Sequence, residues 1–157
     1  MINEEIKTKL SVLVKIAHLL NSNNITYAIG ASLLLYFKGK TDTFHDIDIM
    51  VIDSDANKVK ELLKSIDRLE APNPNVKYKT KCFLEFNIDG VEVDIMSGFI
   101  IVKDGIDYDC SLKKEDIKDF INIDNELIPL DSLTRWRKFY ELMDRPNKVK
   151  MIDSLSK

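Results

Sequence analysis

The chain has 157 residues, of which 45% are hydrophobic and 31% charged, and a net charge of −3. These proportions fit one globular domain with enough apolar surface for a core, and no apolar run reaches the length of a membrane span. The net charge excludes a protein whose whole surface grips nucleic acid.

The start, Met1-Ile2-Asn3-Glu4-Glu5, is acidic and has no secretory apolar region, so no targeting segment is expected. Residues 4–20 read as an amphipathic helix, with Ile6, Leu10, Leu13, Ile16, Ala17 and Leu20 at helical spacing and Asn3 as its cap. Asn21 to Asn24 ends it. Ile25 to Ile29 is a short strand. Gly30 breaks the strand, and Ala31 to Phe37 is a helix closed by Gly39. Ile47 to Ile52 is an apolar strand with Asp46 and Asp48 at its start. Ser54 or Asp55 caps a third helix built on Val59, Leu62, Leu63 and Ile66, and Pro72 and Pro74 mark a loop. Cys82–Ile88 and Val91–Met96 flank Asp89-Gly90, a hairpin signal. Asp104-Gly105 predicts another hairpin or a tight turn, with strands near 99–102 and 106–108. Short strands at 117–123 and 126–129 surround Asp124-Asn125. Asp131 caps a helix through Leu133, Trp136, Tyr140 and Met143, and Pro146 opens a last helix reaching about Leu155. The expected class is α/β (α+β): a mixed sheet with flanking helices, in one domain spanning 1–157.

Three stretches carry chemistry. In Asp46-Ile47-Asp48 the period-two alternation of a strand puts both carboxylates on one face. Such a pair repels and loses hydration unless a cation sits between the two groups, and carboxylate oxygens suit Mg²⁺. The competing reading is a solvated strand end. In Val91-Glu92-Val93-Asp94, Asp94 joins the pair if its strand lies beside the first, whereas Glu92 better fits a wet strand face. Three carboxylates can hold two metal ions about 3.5–4 Å apart. In Ala28-Ile29-Gly30-Ala31-Ser32, a strand ends in glycine and a helix begins, which offers backbone N–H groups and the Ser32 hydroxyl to a phosphate. Taken alone, this is a tight strand-to-helix turn.

Together, Gly30-Ala31-Ser32, Asp46-Ile47-Asp48 and Asp94 resemble the motif of the nucleotidyltransferase superfamily, with its polymerase β-like fold, over a core of about residues 25–96. The C-terminal helices, about 131–157, are similar to those of small toxin-type and antibiotic-modifying members. The resemblance implies that Asp46, Asp48 and Asp94 are catalytic and bind metal, Mg²⁺ or Mn²⁺. It implies that Gly30 and Ser32 hold the β- and γ-phosphates of an NTP, ATP foremost, whose α-phosphate the acceptor attacks. Ala31 is a departure, since many members carry a second glycine there. Lys38, after the turn, and Arg145 and Lys148, around Pro146, are the cations expected to serve the phosphates, while a solvated face is expected for Arg137, Lys138 and Lys150. Lys40, Thr41, Thr43 and His45 lie nearby. His45 reads as a turn residue, His18 as structural, and Trp136, Phe139 and Tyr140 as core.

The acceptor is open between a small molecule, an RNA end and a protein. From Asp131 to Lys157 the chain carries seven basic and four acidic residues, which favours RNA, whereas the overall charge disfavours it. The alternatives are a catalytically silent nucleotide-binding or interaction module with the same fold, and a metal-dependent phosphohydrolase using the same carboxylates. Cys82 and Cys110 lack metal-ligand spacing and are expected to be reduced thiols in a cytoplasmic protein. Oligomeric state is not legible.

Overall fold

A computed structural model describes residues 3–66, 68–69 and 82–154. The Pro72–Pro74 loop and the end of the last helix near Leu155 fall outside the described residues. The first helix, α1 (Glu4–Ser22), starts where Asn3 accepts a hydrogen bond from the Ile6 N–H at 2.8 Å. Strand β1 (Tyr27–Ile29) leads into α2 (Ala31–Phe37), and β2 (Ile47–Val51) follows an irregular loop. Helix α3 (Ala56–Lys64) is entered through a 3₁₀ turn at Asp53–Asp55. The expected cap residue Asp55 spends its carboxylate on the Thr26 N–H, 2.9 Å away, so α3 begins without a side-chain cap.

The two-residue strand β3 (Arg68–Leu69) pairs with β4 (Cys82–Ile88), which forms a hairpin with β5 (Val91–Ser97). A second hairpin, β6 (Ile100–Lys103) and β7 (Ile106–Asp109), is a separate two-stranded sheet. A third joins β8 (Asp119–Ile123) to β9 (Glu126–Leu130). The chain ends in α4 (Leu133–Leu142) and α5 (Pro146–Asp153). Ser132, rather than the expected Asp131, caps α4 by accepting from the Arg135 N–H.

Among the described residues, seven strands form one mixed sheet in the order β3-β4-β5-β2-β1-β9-β8. Strand β1 runs antiparallel to β2, which lies parallel to β5 in the register Ile47↔Val93, Asp48↔Asp94 and Ile49↔Ile95. Strand β2 is buried apart from Asp48, so its apolar residues anchor the sheet's centre. Ile16, Ala17 and Leu20 of α1 and Leu33, Leu34 and Leu35 of α2 are fully buried and join the same core, which removes their apolar surface from water.

Candidate active site

The parallel pairing of β2 with β5 decides where the acidic side chains go. Residues opposite one another in a sheet project from the same face, as do residues two apart in one strand. Asp48 stands opposite Asp94, Glu92 lies two residues earlier on β5, and Asp46 lies two residues before Asp48, just ahead of β2. On the other side of β5, Glu85 of β4 stands opposite Asp94. Five carboxylates therefore share one face, two more than the three aspartates singled out by spacing.

This crowding raises pKa values. Burial holds Asp48 well above the ordinary carboxylate range, helped by the negative charges of Asp94 and Asp46. Asp94 is pushed up to about 7, first by burial and then by Asp46, Glu85 and Glu92. Asp46 is raised by burial and by Glu92, against the opposing pull of His45 and Lys9. The His45 imidazole is exposed, with Nε2 3.4 Å from Asp46 Oδ1 and 3.8 Å from Glu92 Oε2. Asp46 Oδ1 is shut off from solvent and makes no hydrogen bond among the described residues. A buried carboxylate oxygen without a hydrogen bond, among like charges and with only an exposed imidazole nearby, fits a hard divalent cation that takes oxygen ligands.

The turn after β1 lies alongside. The Gly30 N–H donates to the Asp48 carbonyl at 3.0 Å, which ties the start of α2 to the carboxylate strand. A Cβ on Gly30 would stand 2.5 Å from the Trp136 ring, so glycine here makes room for the indole. The sequence-based expectation of a glycine opened for a ligand is thus joined by a packing requirement from α4. Ala31 has φ +52°, in the left-handed region that favours glycine, which locates the cost of the departure seen in the sequence.

A cavity of about 310 Å³ opens over these groups. Ala31, Ser32, His45, Asp46 and Asp48 line one part of it, and Arg145 and Lys148 bring positive charge from the α4–α5 corner. The Lys148 ammonium is held below the usual lysine pKa by burial and by Arg145, while Asp48 pulls it the other way. Phe83, Met96, Phe99, Trp136, Tyr140 and Met143 supply an apolar wall. Trp136 and Tyr140 are buried, as expected of core residues, and they also face the cavity.

Lys38 does not join this group. It sits past the end of α2, forms an ion pair with Asp119 and lines a different, smaller cavity with Asp116 and Asp131. Seven residues of helix carry it away from the turn, a distance that motif proximity in sequence did not convey. Lys40 likewise donates to the Ser154 carbonyl. Spacing arguments missed Glu85, the apolar wall and Lys9. Lys9 was visible as a charge on the apolar stripe of α1, four residues before Leu13 and three before Val12.

The mixed sheet with its flanking helices has the fold of the nucleotidyltransferases. Within that class, the chain belongs to the aminoglycoside-2''-adenylyltransferase family, whose sequence profile matches residues 12–153. No curated protein matches the chain by sequence. Among solved structures it is similar to TM1012 from Thermotoga maritima, a proposed nucleotidyltransferase, with 25% identity and a TM-score of 0.74 over 98% of this chain and 93% of that one. It shares the fold of ANT(2'')-Ia, solved in complex with adenylyl-2''-tobramycin, with 13% identity and a TM-score of 0.64 over 93% and 86% of the two chains. It also shares the fold of the lincosamide antibiotic adenylyltransferase LnuA, solved with lincomycin, with 20% identity and a TM-score of 0.60 over 90% and 94%. The protein is thus an enzyme of the nucleotidyltransferase class, which moves a nucleoside monophosphate from a nucleoside triphosphate and generally uses divalent metal ions.

Proposed function

We propose that this enzyme transfers AMP from ATP to a hydroxyl of a small, amine-bearing acceptor, and that Asp46, Asp48 and Asp94 form its catalytic centre. The observation that carries the proposal is the opposed pair Asp48–Asp94, with Asp46 on the same face, beside the turn at Ala31 and Ser32. Those three carboxylates would hold Mg²⁺ or Mn²⁺, which supplies charge neutralisation for the polyphosphate.

The remaining tasks fall to the chain itself. The Ser32 hydroxyl and the first N–H groups of α2 suit the β- and γ-phosphates. Arg145 and Lys148 bring positive charge to the cavity that the triphosphate enters. Asp94, opposite Asp48 on the shared acidic face, suits uptake of the acceptor's proton. The acceptor oxygen then bonds to the α-phosphorus as the bond to the β-phosphate oxygen breaks, and pyrophosphate leaves. Glu85 and Glu92 extend the acidic face past the three aspartates and favour a cationic acceptor over RNA.

The test is incubation with Mg²⁺ and each α-labelled NTP, offering an aminoglycoside, a lincosamide, an RNA and a cell extract as acceptors. Transfer of label from ATP to a small molecule, lost in the Asp46→Ala plus Asp48→Ala variant, is the expected result. Nucleotide binding without transfer to any acceptor would instead indicate a silent module.

A further inference from the structure

We propose that Lys9, on α1, is a positioning residue for the candidate metal centre, acting through the loop that ends in Asp46. The inference rests on the reading of Asp46 and Asp48 as metal ligands. Lys9 precedes the residues that match the family, 12–153.

Lys9 lies on the apolar side of α1 among Ile6, Val12, Leu13 and Ile16, and it is only 9% exposed. A lysine so placed must satisfy its ammonium locally, because losing hydration without partners is costly. Its Nζ donates to the Phe44 carbonyl at 2.9 Å and pairs with Glu5 Oε1 at 2.9 Å. The same ammonium lies 5.4 Å from the centre of the Phe44 ring. Phe44 is itself 3% exposed, with its ring 5.1 Å from that of Tyr36 at the end of α2.

These contacts clamp one residue from both ends. Aromatic packing fixes the Phe44 side chain, and Lys9 fixes its carbonyl. The connection from α2 to β2 is otherwise irregular, and Asp46 sits just ahead of the regular strand, which starts at Ile47. Asp46 thus lacks the strand ladder that holds Asp48, and the clamp two residues upstream takes its place. Groups that orient metal ligands from behind commonly matter to metal affinity.

Charge and position make opposite forecasts here, which gives the test its sign. The Lys9 ammonium lies close enough to Asp46 for its charge to be felt there. If electrostatics alone counted, removing that charge would tighten cation binding. If Lys9 positions Asp46, removing it loosens binding.

The experiment titrates the purified full chain with Mn²⁺ alone, without nucleotide, and reads affinity by calorimetry and by the paramagnetic signal of free Mn²⁺. Lys9→Met is expected to weaken Mn²⁺ binding about 10-fold, and Lys9→Arg, which keeps a charged donor for the Phe44 carbonyl, to restore it. Val59→Ala, a core truncation on α3, serves as a control that lowers stability away from the site and is expected to leave Mn²⁺ affinity unchanged. If Lys9→Met does not fold, Lys9→Leu, which also lacks a donor, takes its place in the comparison. Unchanged or tighter Mn²⁺ binding without Lys9, or equal loosening by Val59→Ala, overturns the positioning role. Mn²⁺ binding that survives Asp46→Ala plus Asp48→Ala overturns the metal-centre reading instead.

Discussion

At the scale of single residues, the turn 30–32 shows how chemistry and strain meet. Ala31 adopts a backbone conformation in which a Cβ is penalised, at a place where many members of the superfamily have glycine. We expect Ala31→Gly to stabilise the protein by about 1 kcal/mol, since strain relief outweighs the added freedom of the unfolded chain. Urea denaturation measures it, and a loss of stability would show that Ala31 is unstrained. Its neighbour Ser32 lines the cavity, and Ser32→Ala is expected to weaken ATP binding by about 1 kcal/mol, the worth of one hydrogen bond. An unchanged ATP affinity in calorimetry would make Ser32 an ordinary helix residue. The acidic and turn residues were legible because strand periodicity and glycine have direct geometric meaning. Gly30 was legible as a special position, but its contact with Trp136 was not, because that partner lies more than a hundred residues away.

At the scale of elements, hairpins were the easiest to read. Asp89-Gly90, Asp104-Gly105 and Asp124-Asn125 all have both residues at positive φ, the geometry that two-residue hairpins require and that Asp, Asn and Gly tolerate. Caps were read less well, because their side chains answer to distant groups. Asp55 serves Thr26. Asp131 is buried and accepts from the Arg135 guanidinium at 2.7 Å and the Trp136 indole N–H at 3.1 Å. This network docks α4 against the turn at Gly30. Asp131→Ala is expected to destabilise by about 2 kcal/mol in urea denaturation, by leaving the buried Trp136 indole N–H without its acceptor, while the half-buried Arg135 guanidinium keeps Asp116 and the Cys110 carbonyl. A change below about 1 kcal/mol would argue that the network is dispensable.

The pairing of β2 with β5 carries a pH consequence. Asp94 has a folded pKa of about 7 against an ordinary 3.8, so between those values the folded state retains a proton that the unfolded chain releases. Stability contributed by the protonated form is therefore present at low pH and lost as pH rises through about 7. In EDTA, the unfolding temperature should fall as pH is raised across this window. Mg²⁺ should offset the fall, and Asp94→Asn should flatten it. A wild-type profile in EDTA no steeper than that of Asp94→Asn would contradict the crowding.

At the scale of the whole molecule, the order helix, strand, helix, strand and the mixed sheet could be anticipated, but strand order could not. Periodicity tells which face a side chain takes and is silent on which strand lies next door. The adjacency of β5 to β2 stood only as a condition for Asp94 to join the pair. Charge was the weakest guide. The basic tail suggested RNA, yet Arg135 pairs with Asp116 and Asp131, and Arg137 with Asp153 and Glu141. Arg145 and Lys148 remain as the tail's contribution to the cavity. No described helix is long and apolar enough to cross a membrane.

The most direct measurement follows the products made from ATP and Mg²⁺ in the presence of an accepted small molecule. One pyrophosphate should appear for each nucleotide transferred, and Asp94→Asn, with its fold intact, should reduce the rate by about 1,000-fold or more. Release of orthophosphate in place of pyrophosphate, or an Asp94→Asn protein as active as the wild type, would contradict the account.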